Sequence, residues 1–281
     1  MQTILVIANQ TIAGAKLLEA IKAKVADAGG DARVVIAVPQ VPPTHGNIIY
    51  DDTVFEVAQV RIDLARSFLR EAGISAIGEV GDPDPYTATM DAVGEHQPDE
   101  IIISTLPTTS SGWMRRDLVE RIRDESGLPV EHVVVDLQAE GLPFTVTLVV
   151  ANRTAATDDL LGALDKLAAD GGQQRLFIAC VPQEGGHGSA AAMARSRLAQ
   201  IVDRVRSEGH LAAGIVGDPD PYTAIMNALQ FFRIDDIVIS TLPATRSGWL
   251  RGDLIQRVET ASGKHVVHVE VAPAGAPAAA G

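Results

Sequence analysis

The octapeptide GDPDPYTA occurs twice, at Gly81–Ala88 and at Gly217–Ala224. From Gly81 to Asp117, 23 of 37 positions are identical to Gly217–Asp253 at a spacing of 136. Upstream the match continues at a spacing of 143, with ILVIANQT (Ile4–Thr11) against TLVVANRT (Thr147–Thr154) and AVPQ (Ala37–Gln40) against CVPQ (Cys180–Gln183). The difference of seven is a deletion in the second copy between Gln183 and Gly217. A period of about 140 is too long for a solenoid repeat. It predicts two copies of one domain, roughly 1–138 and 144–272, joined through QAEGLP (Gln138–Pro143). The tail PAGAPAAAG (Pro273–Gly281) has nothing to pack and is expected to be disordered.

Each copy alternates apolar strands with helical spacing. In the first copy, strands are expected at Thr3–Ala8, Ala32–Val38, Ile74–Val80, Glu100–Ser104 and Val130–Asp136. Helices are expected at Ala15–Gly30, near Asp51–Ala72, from Pro85 to about Glu95, and at Asp117–Ser126. Asp84-Pro85 reads as an N-cap followed by proline at the first helical position, and Asp220-Pro221 repeats it. Alternation of this kind predicts an α/β fold with a parallel sheet covered on both faces. In such sheets ligands bind beyond the C-terminal strand ends, where the strand order reverses.

Composition narrows the partners. The 281 residues are 46% hydrophobic and 21% charged, which is globular rather than disordered or fibrous. A net charge of −13 repels phosphate backbones and anionic membranes, so neither nucleic acid nor membrane is an expected partner. One cysteine, Cys180, is read as an inert core thiol, in keeping with a reducing cytoplasm. The N-terminus has no basic n-region, and no apolar run approaches the roughly 20 residues that span a bilayer.

Two loops per copy follow strands and carry polar chemistry: Ala8–Thr11, matched by Ala151–Thr154, and Ser104–Asp117, matched by Ser240–Asp253. Hydroxyls, backbone amides and a guanidinium together hold a phosphate or carboxylate. The candidate ligand contacts are Asn9, Ser104, Thr105, Thr109, Ser111 and Arg115, with Asn152, Ser240, Thr241, Thr245, Ser247 and Arg251 in the second copy. The competing reading is that these groups cap helices and close turns. Asp117-Leu118-Val119-Glu120 and Asp253-Leu254-Ile255-Gln256 fit capping boxes. Trp113 and Trp249 are read as loop anchors in preference to platforms that stack on a base, and His132 and His268 as strand or interface histidines, since no Cys/His/Asp cluster has metal spacing. No nucleophile elbow, P-loop or GxGxxG is present, so no catalytic residue is assigned.

Over residues 3–271, the ILVIANQT strand exit, the GDPDP opening and DEIIIS before a hydroxyl-rich loop resemble the universal stress protein family in tandem form. DEIIISTLP…SGWMRRDLVERI…GLPVEHVVVD is similar to actinobacterial stress-protein-like domains, some of them attached to permeases. The resemblance implies a five-stranded parallel sheet of order 3-2-1-4-5 in each copy. It further implies an internal pseudo-dimer along the fifth strands, a regulatory or ligand-sensing role without catalysis, and a nucleotide or other small anion as ligand. A ligand-free module for an unknown protein partner is the alternative, and a phosphoanhydride hydrolase the weaker one.

Several positions depart from the ATP-binding members. Asn9 and Asn152 stand where those members carry Asp. Ser104, Pro107, Ser240 and Pro243 stand at phosphate-loop glycines, Asp117 and Asp253 at a later glycine, and Leu118 and Leu254 at the following hydroxyl. Proline offers no N–H, and a carboxylate there opposes a triphosphate by several kcal/mol at an effective dielectric of about 20. These departures weigh against family-type ATP binding.

Overall fold

The computed structural model describes residues 1–41, 51–107, 117–142, 144–170, 172, 174–183, 188–243 and 247–271; the side chains of 51, 52, 188 and 251 lie outside that description. The chain divides into two compact units, the second beginning at Phe144.

The first unit runs β1 (Gln2–Ile7), α1 (Ala15–Asp27), β2 (Ala32–Pro39), α2 (Asp51–Glu71), β3 (Ala76–Gly81), α3 (Pro85–His96), β4 (Glu100–Thr105), α4 (Leu118–Ser126), β5 (Val130–Val134) and a short α5 (Leu137–Glu140). The second runs β6 (Thr145–Val150), α6 (Asp158–Asp170), β7 (Arg175–Pro182), α7 (Gly188–Ser207), β8 (Leu211–Gly217), α8 (Pro221–Phe231), β9 (Asp236–Thr241), a 3-10 turn (Leu250–Gly252), α9 (Leu254–Ser262) and β10 (His265–Glu270). Both sheets are parallel throughout, ordered β3-β2-β1-β4-β5 and β8-β7-β6-β9-β10. This is the expected 3-2-1-4-5 order, twice. The linker region expected at Gln138–Pro143 starts within α5, and residue 143 lies outside the described residues. So does the tail, from 272 onward.

The central strands are apolar because both faces are covered. All six residues of β4 are buried, as are five of six in β1 and in β6. In the first unit Leu5, Ile7, Ile101 and Ile103 pack with Leu118 and Ile122 of α4; in the second, Val149, Phe177 and Val238 pack with Leu160, Leu161 and Leu164 of α6. Cys180 is buried in β7.

The repeated GDPDP is a packing and capping device. A Cβ on Gly81 would stand 2.7 Å from Ala88 Cβ, and one on Gly217 would stand 2.7 Å from Ala224 Cβ and 2.8 Å from Cys180 Sγ. Glycine therefore lets the strand end lie directly on the following helix. Asp84 Oδ2 accepts from Thr87 N and Thr87 Oγ1, both at 3.1 Å, with Pro85 at the first helical position. Asp220 does the same for Thr223, at 2.9 and 2.8 Å. Asp82 and Asp218 accept from the backbone N–H of Asp84 and Asp220. The N-cap reading thus holds in both copies.

The capping boxes expected at Asp117 and Asp253 do not form. Both residues adopt the left-handed conformation, with φ 47° and 48°, and neither side chain caps its helix. A capping box needs an extended N-cap that turns its side chain toward the first free amides. Here only the backbone carbonyls serve, accepting from Arg121 N and Arg257 N at 3.0 Å each.

Candidate functional site

The strand order reverses between β1 and β4 in the first unit and between β6 and β9 in the second. Splayed chain exits at such a point leave a crevice at the C-terminal edge. The residues there are Asn9 and Thr11 with Ser104 and Thr105, and Asn152 and Thr154 with Ser240 and Thr241.

Both asparagines are buried and held from two sides. Asn9 Nδ2 donates to Pro39 O at 2.8 Å, while Arg61 Nη1 of α2 donates to Asn9 Oδ1. In the second unit Asn152 Nδ2 donates to Pro182 O at 2.8 Å and Arg197 Nη1 of α7 donates to Asn152 Oδ1. Arg61 is only 6% exposed, and burial pulls its guanidinium down to about 10. It remains a cation at neutral pH. Each carboxamide therefore makes one acceptor bond and one donor bond to the protein, leaving one N–H and the second lone pair of its oxygen.

The lips of the crevice are tied across the sheet. Thr11 Oγ1 donates to Ser104 O at 3.3 Å, and Thr154 Oγ1 to Ser240 O at 3.1 Å. Thr105 and Thr241 are buried, with their hydroxyls 2.8 Å from His132 Nε2 and His268 Nε2. His132 sits below the ordinary imidazole value, first through burial and then through the Arg123 guanidinium. Ser104 and Ser240 differ from these threonines. Each is 1% exposed, and neither Oγ has a hydrogen-bond partner. An unpaired buried hydroxyl costs about 1–3 kcal/mol. The same cost is carried at the same position of both units.

In the second unit the crevice opens into a cleft of about 210 Å³. Three chain segments line it: Asn152, Arg153 and Thr154; Ser240, Thr241 and Leu242; and Ser247, Gly248 and Trp249. Ser247 is buried, its N–H donating to Pro243 O at 2.9 Å. Trp249 is half-buried and leads the 3-10 turn. No carboxylate is among these lining residues, in a chain whose net charge is −13. The local chemistry is opposite in sense to the global charge.

Of the twelve candidate contacts, Asn152, Ser240, Thr241 and Ser247 line this one cleft. Asn9, Ser104 and Thr105 occupy the matching positions of the first unit. Thr109, Ser111, Arg115 and Thr245 lie outside the described residues, as do Trp113 and the Arg251 side chain. Sequence reasoning passed over Arg153 and Thr154 as contacts and favoured an anchoring role for Trp249 over stacking on a base. It also missed Arg61 and Arg197. A signal for that pair exists: α2 and α7 have diverged, yet at a spacing of 136 they keep Ala58/Ala194, Arg61/Arg197 and Arg70/Arg206. Outside the cleft, Glu79, Glu95 and His96 cluster closely enough to suggest a metal. His96 is already engaged, by Glu79 at 2.7 Å and by Arg33 at 3.5 Å on its other nitrogen. That is the pattern of a hydrogen-bonded charge network.

No family model matches the chain, and no curated protein matches it either. Among solved structures, a universal stress protein in complex with cAMP is 17% identical; the match covers 47% of this chain and 96% of that one, with a TM-score of 0.35. A universal stress protein from Archaeoglobus fulgidus DSM 4304 is also 17% identical, over 95% of this chain and 96% of that one, with a TM-score of 0.36.

Proposed function

We propose that the chain is a tandem universal-stress-type protein that senses a small anionic ligand in the cleft of its second unit and catalyses no reaction. The observation that carries this reading is Ser240. Its hydroxyl is buried, unpartnered and part of the cleft lining. A ligand oxygen would satisfy it, and Arg153 and the remaining Asn152 N–H belong to the same lining and would share the charge. The family resemblance supports the sensing role. Among the described lining residues there is neither a histidine nor a carboxylate to act as general base, which favours binding over hydrolysis. A cytoplasmic site of action belongs to the same reading; no helix among the described residues is long and apolar enough to cross a membrane.

Family-type ATP binding is not part of the proposal. Pro243 and Asp253 replace two glycines of the phosphate loop, removing an amide donor and adding a negative charge. The test is a thermal-shift screen of phosphate- and carboxylate-bearing metabolites against the wild type and Ser240→Ala. Ligand-induced stabilisation that disappears in the variant is the expected result. A ligand whose stabilisation is unchanged by Ser240→Ala binds elsewhere and rejects the site.

A further inference from the structure

We infer that the first unit carries a second site for a small oxyanion, built on Ser104, and that Gln10 makes it the weaker of the two. The inference rests on the ligand-binding reading above. The frame around Ser240 recurs around Ser104. Asn9 is held by Pro39 O and Arg61, as Asn152 is held by Pro182 O and Arg197. Thr11 Oγ1 donates to Ser104 O, as Thr154 Oγ1 donates to Ser240 O. Ser104 is 1% exposed and its hydroxyl has no partner, so the first unit carries the same unmet hydrogen bond. Such a hydroxyl costs stability, and an alanine of nearly the same shape would not. The helices α2 and α7 have diverged between the copies, yet both copies keep this serine.

The residues that follow the two asparagines differ. Gln10 stands in the first copy where Arg153 stands in the second; both are exposed, and Arg153 lines the cleft. A glutamine amide donates and accepts without charge, whereas a guanidinium only donates and is always cationic. The other charges separate the units less. Arg61 and Arg197 take matching positions, and the loops Ser104–Asp117 and Ser240–Asp253 each contain two arginines and one aspartate. At the starts of α1 and α6, Lys16 pairs with Glu140 at 2.6 Å and Asp158 with Arg204 at 3.1 Å, and neither Asp158 nor Asp159 is among the cleft residues. The Arg153 guanidinium is therefore what the second site has and the first lacks. An exposed ion pair strengthens binding by a factor of up to about five.

Backbone amide NMR on the full chain tests this, with inorganic phosphate and succinate as probes at constant ionic strength. The Thr105 and Thr241 signals, next to the two serines, report each unit separately. Both are expected to move and saturate, Thr241 at a concentration about two- to fivefold lower. Gln10→Arg should bring the Thr105 midpoint down to that of Thr241, and Arg153→Gln should bring the Thr241 midpoint up to that of Thr105. Both residues are exposed, so neither exchange disturbs the core. Ser104→Ala should abolish the Thr105 response and leave that of Thr241 intact. A response at Thr241 without one at Thr105 overturns the inference and leaves the cleft reading standing. Movement at Thr105 alone, or at neither signal with either probe, defeats the cleft reading and this inference with it. Equal midpoints in the wild type, or midpoints that the two exchanges do not shift, reject the role of Gln10. A Thr105 response that survives Ser104→Ala rejects the second site.

Discussion

Arg61 of α2 donates through Nη1 to Oδ1 of Asn9 beyond the end of β1, and Arg197 of α7 makes the same bond to Asn152. A helix crossing one face of each sheet is thereby bonded to the loop at the strand-order reversal. Arg61→Met preserves much of the aliphatic stem and leaves Asn9 Oδ1 short of its donor. A buried bond to a charged group is worth about 1.5–3 kcal/mol, so the variant is expected to lose about that much stability. A double-mutant cycle with Asn9→Ala isolates the pair from other contacts of Arg61, and its coupling energy should reach about 1.5 kcal/mol. Arg197→Met should cost less, because Arg197 is half-buried. Urea denaturation of the singles and the double variant measures each value; additive losses would show that the bond contributes nothing of its own.

The unpartnered serines give a prediction of opposite sign. Removing a buried hydroxyl that bonds nothing removes its desolvation cost. Ser104→Ala and Ser240→Ala are therefore expected to raise the melting temperature of the ligand-free protein, by about 2 °C each at roughly 1 kcal/mol. A residue kept for stability alone would behave in the other direction. Scanning calorimetry without added ligand decides it: a drop in melting temperature for both variants means that the hydroxyls are satisfied in solution.

Much of the architecture was legible before any coordinates. The repeat gave the two copies, alternating apolar runs gave the parallel sheets, and Asp84-Pro85 gave a cap that the structure reproduces at 3.1 Å. The strand order came from the family resemblance. The Arg61–Asn9 contact was hidden because an arginine in an amphipathic helix reads as solvated, and nothing local shows that its tip reaches 52 residues back. The state of Ser240 was hidden for a related reason. Thr241 is its neighbour in sequence and just as buried, yet its hydroxyl finds His268 while that of Ser240 finds nothing. Hydroxyl content is visible in a sequence; which hydroxyl lacks a partner depends on the fold.

Asp117 and Asp253 show where side-chain chemistry misleads. The pattern Asp-x-x-Glu or Gln suits a capping box, but both aspartates stand at φ near +47° with no cap bond. The left-handed backbone is the geometry glycine adopts without steric cost. Asp253→Gly is accordingly expected to keep or slightly raise stability. Asp253→Ala should lower it by about 1 kcal/mol, since alanine tolerates this conformation worse than aspartate. Chemical denaturation of both variants checks the ordering. Equal losses for glycine and alanine would point to a capping role for the carboxylate after all.

His132 ties stability to pH in the first unit. Its imidazole lies 2.8 Å from Thr105 Oγ1, and its pKa is lowered in the folded state, chiefly by burial and secondarily by Arg123. A lowered folded value means that the unfolded chain binds the proton more readily. The stability slope with pH follows the difference in protons bound between unfolded and folded states, so stability rises with pH wherever the unfolded state holds more. An unperturbed histidine titrates near 6.5. The contribution is therefore fully present above about pH 6.5 and is lost as the pH falls from there through the folded value. His132→Gln keeps a polar partner for Thr105 and has no titration in this range. Its stability, measured by urea denaturation at steps between about pH 7.5 and pH 5, should fall less steeply than that of the wild type. Parallel curves for the two proteins would mean that His132 takes up its proton equally well folded and unfolded, and would reject the burial account of this strand histidine.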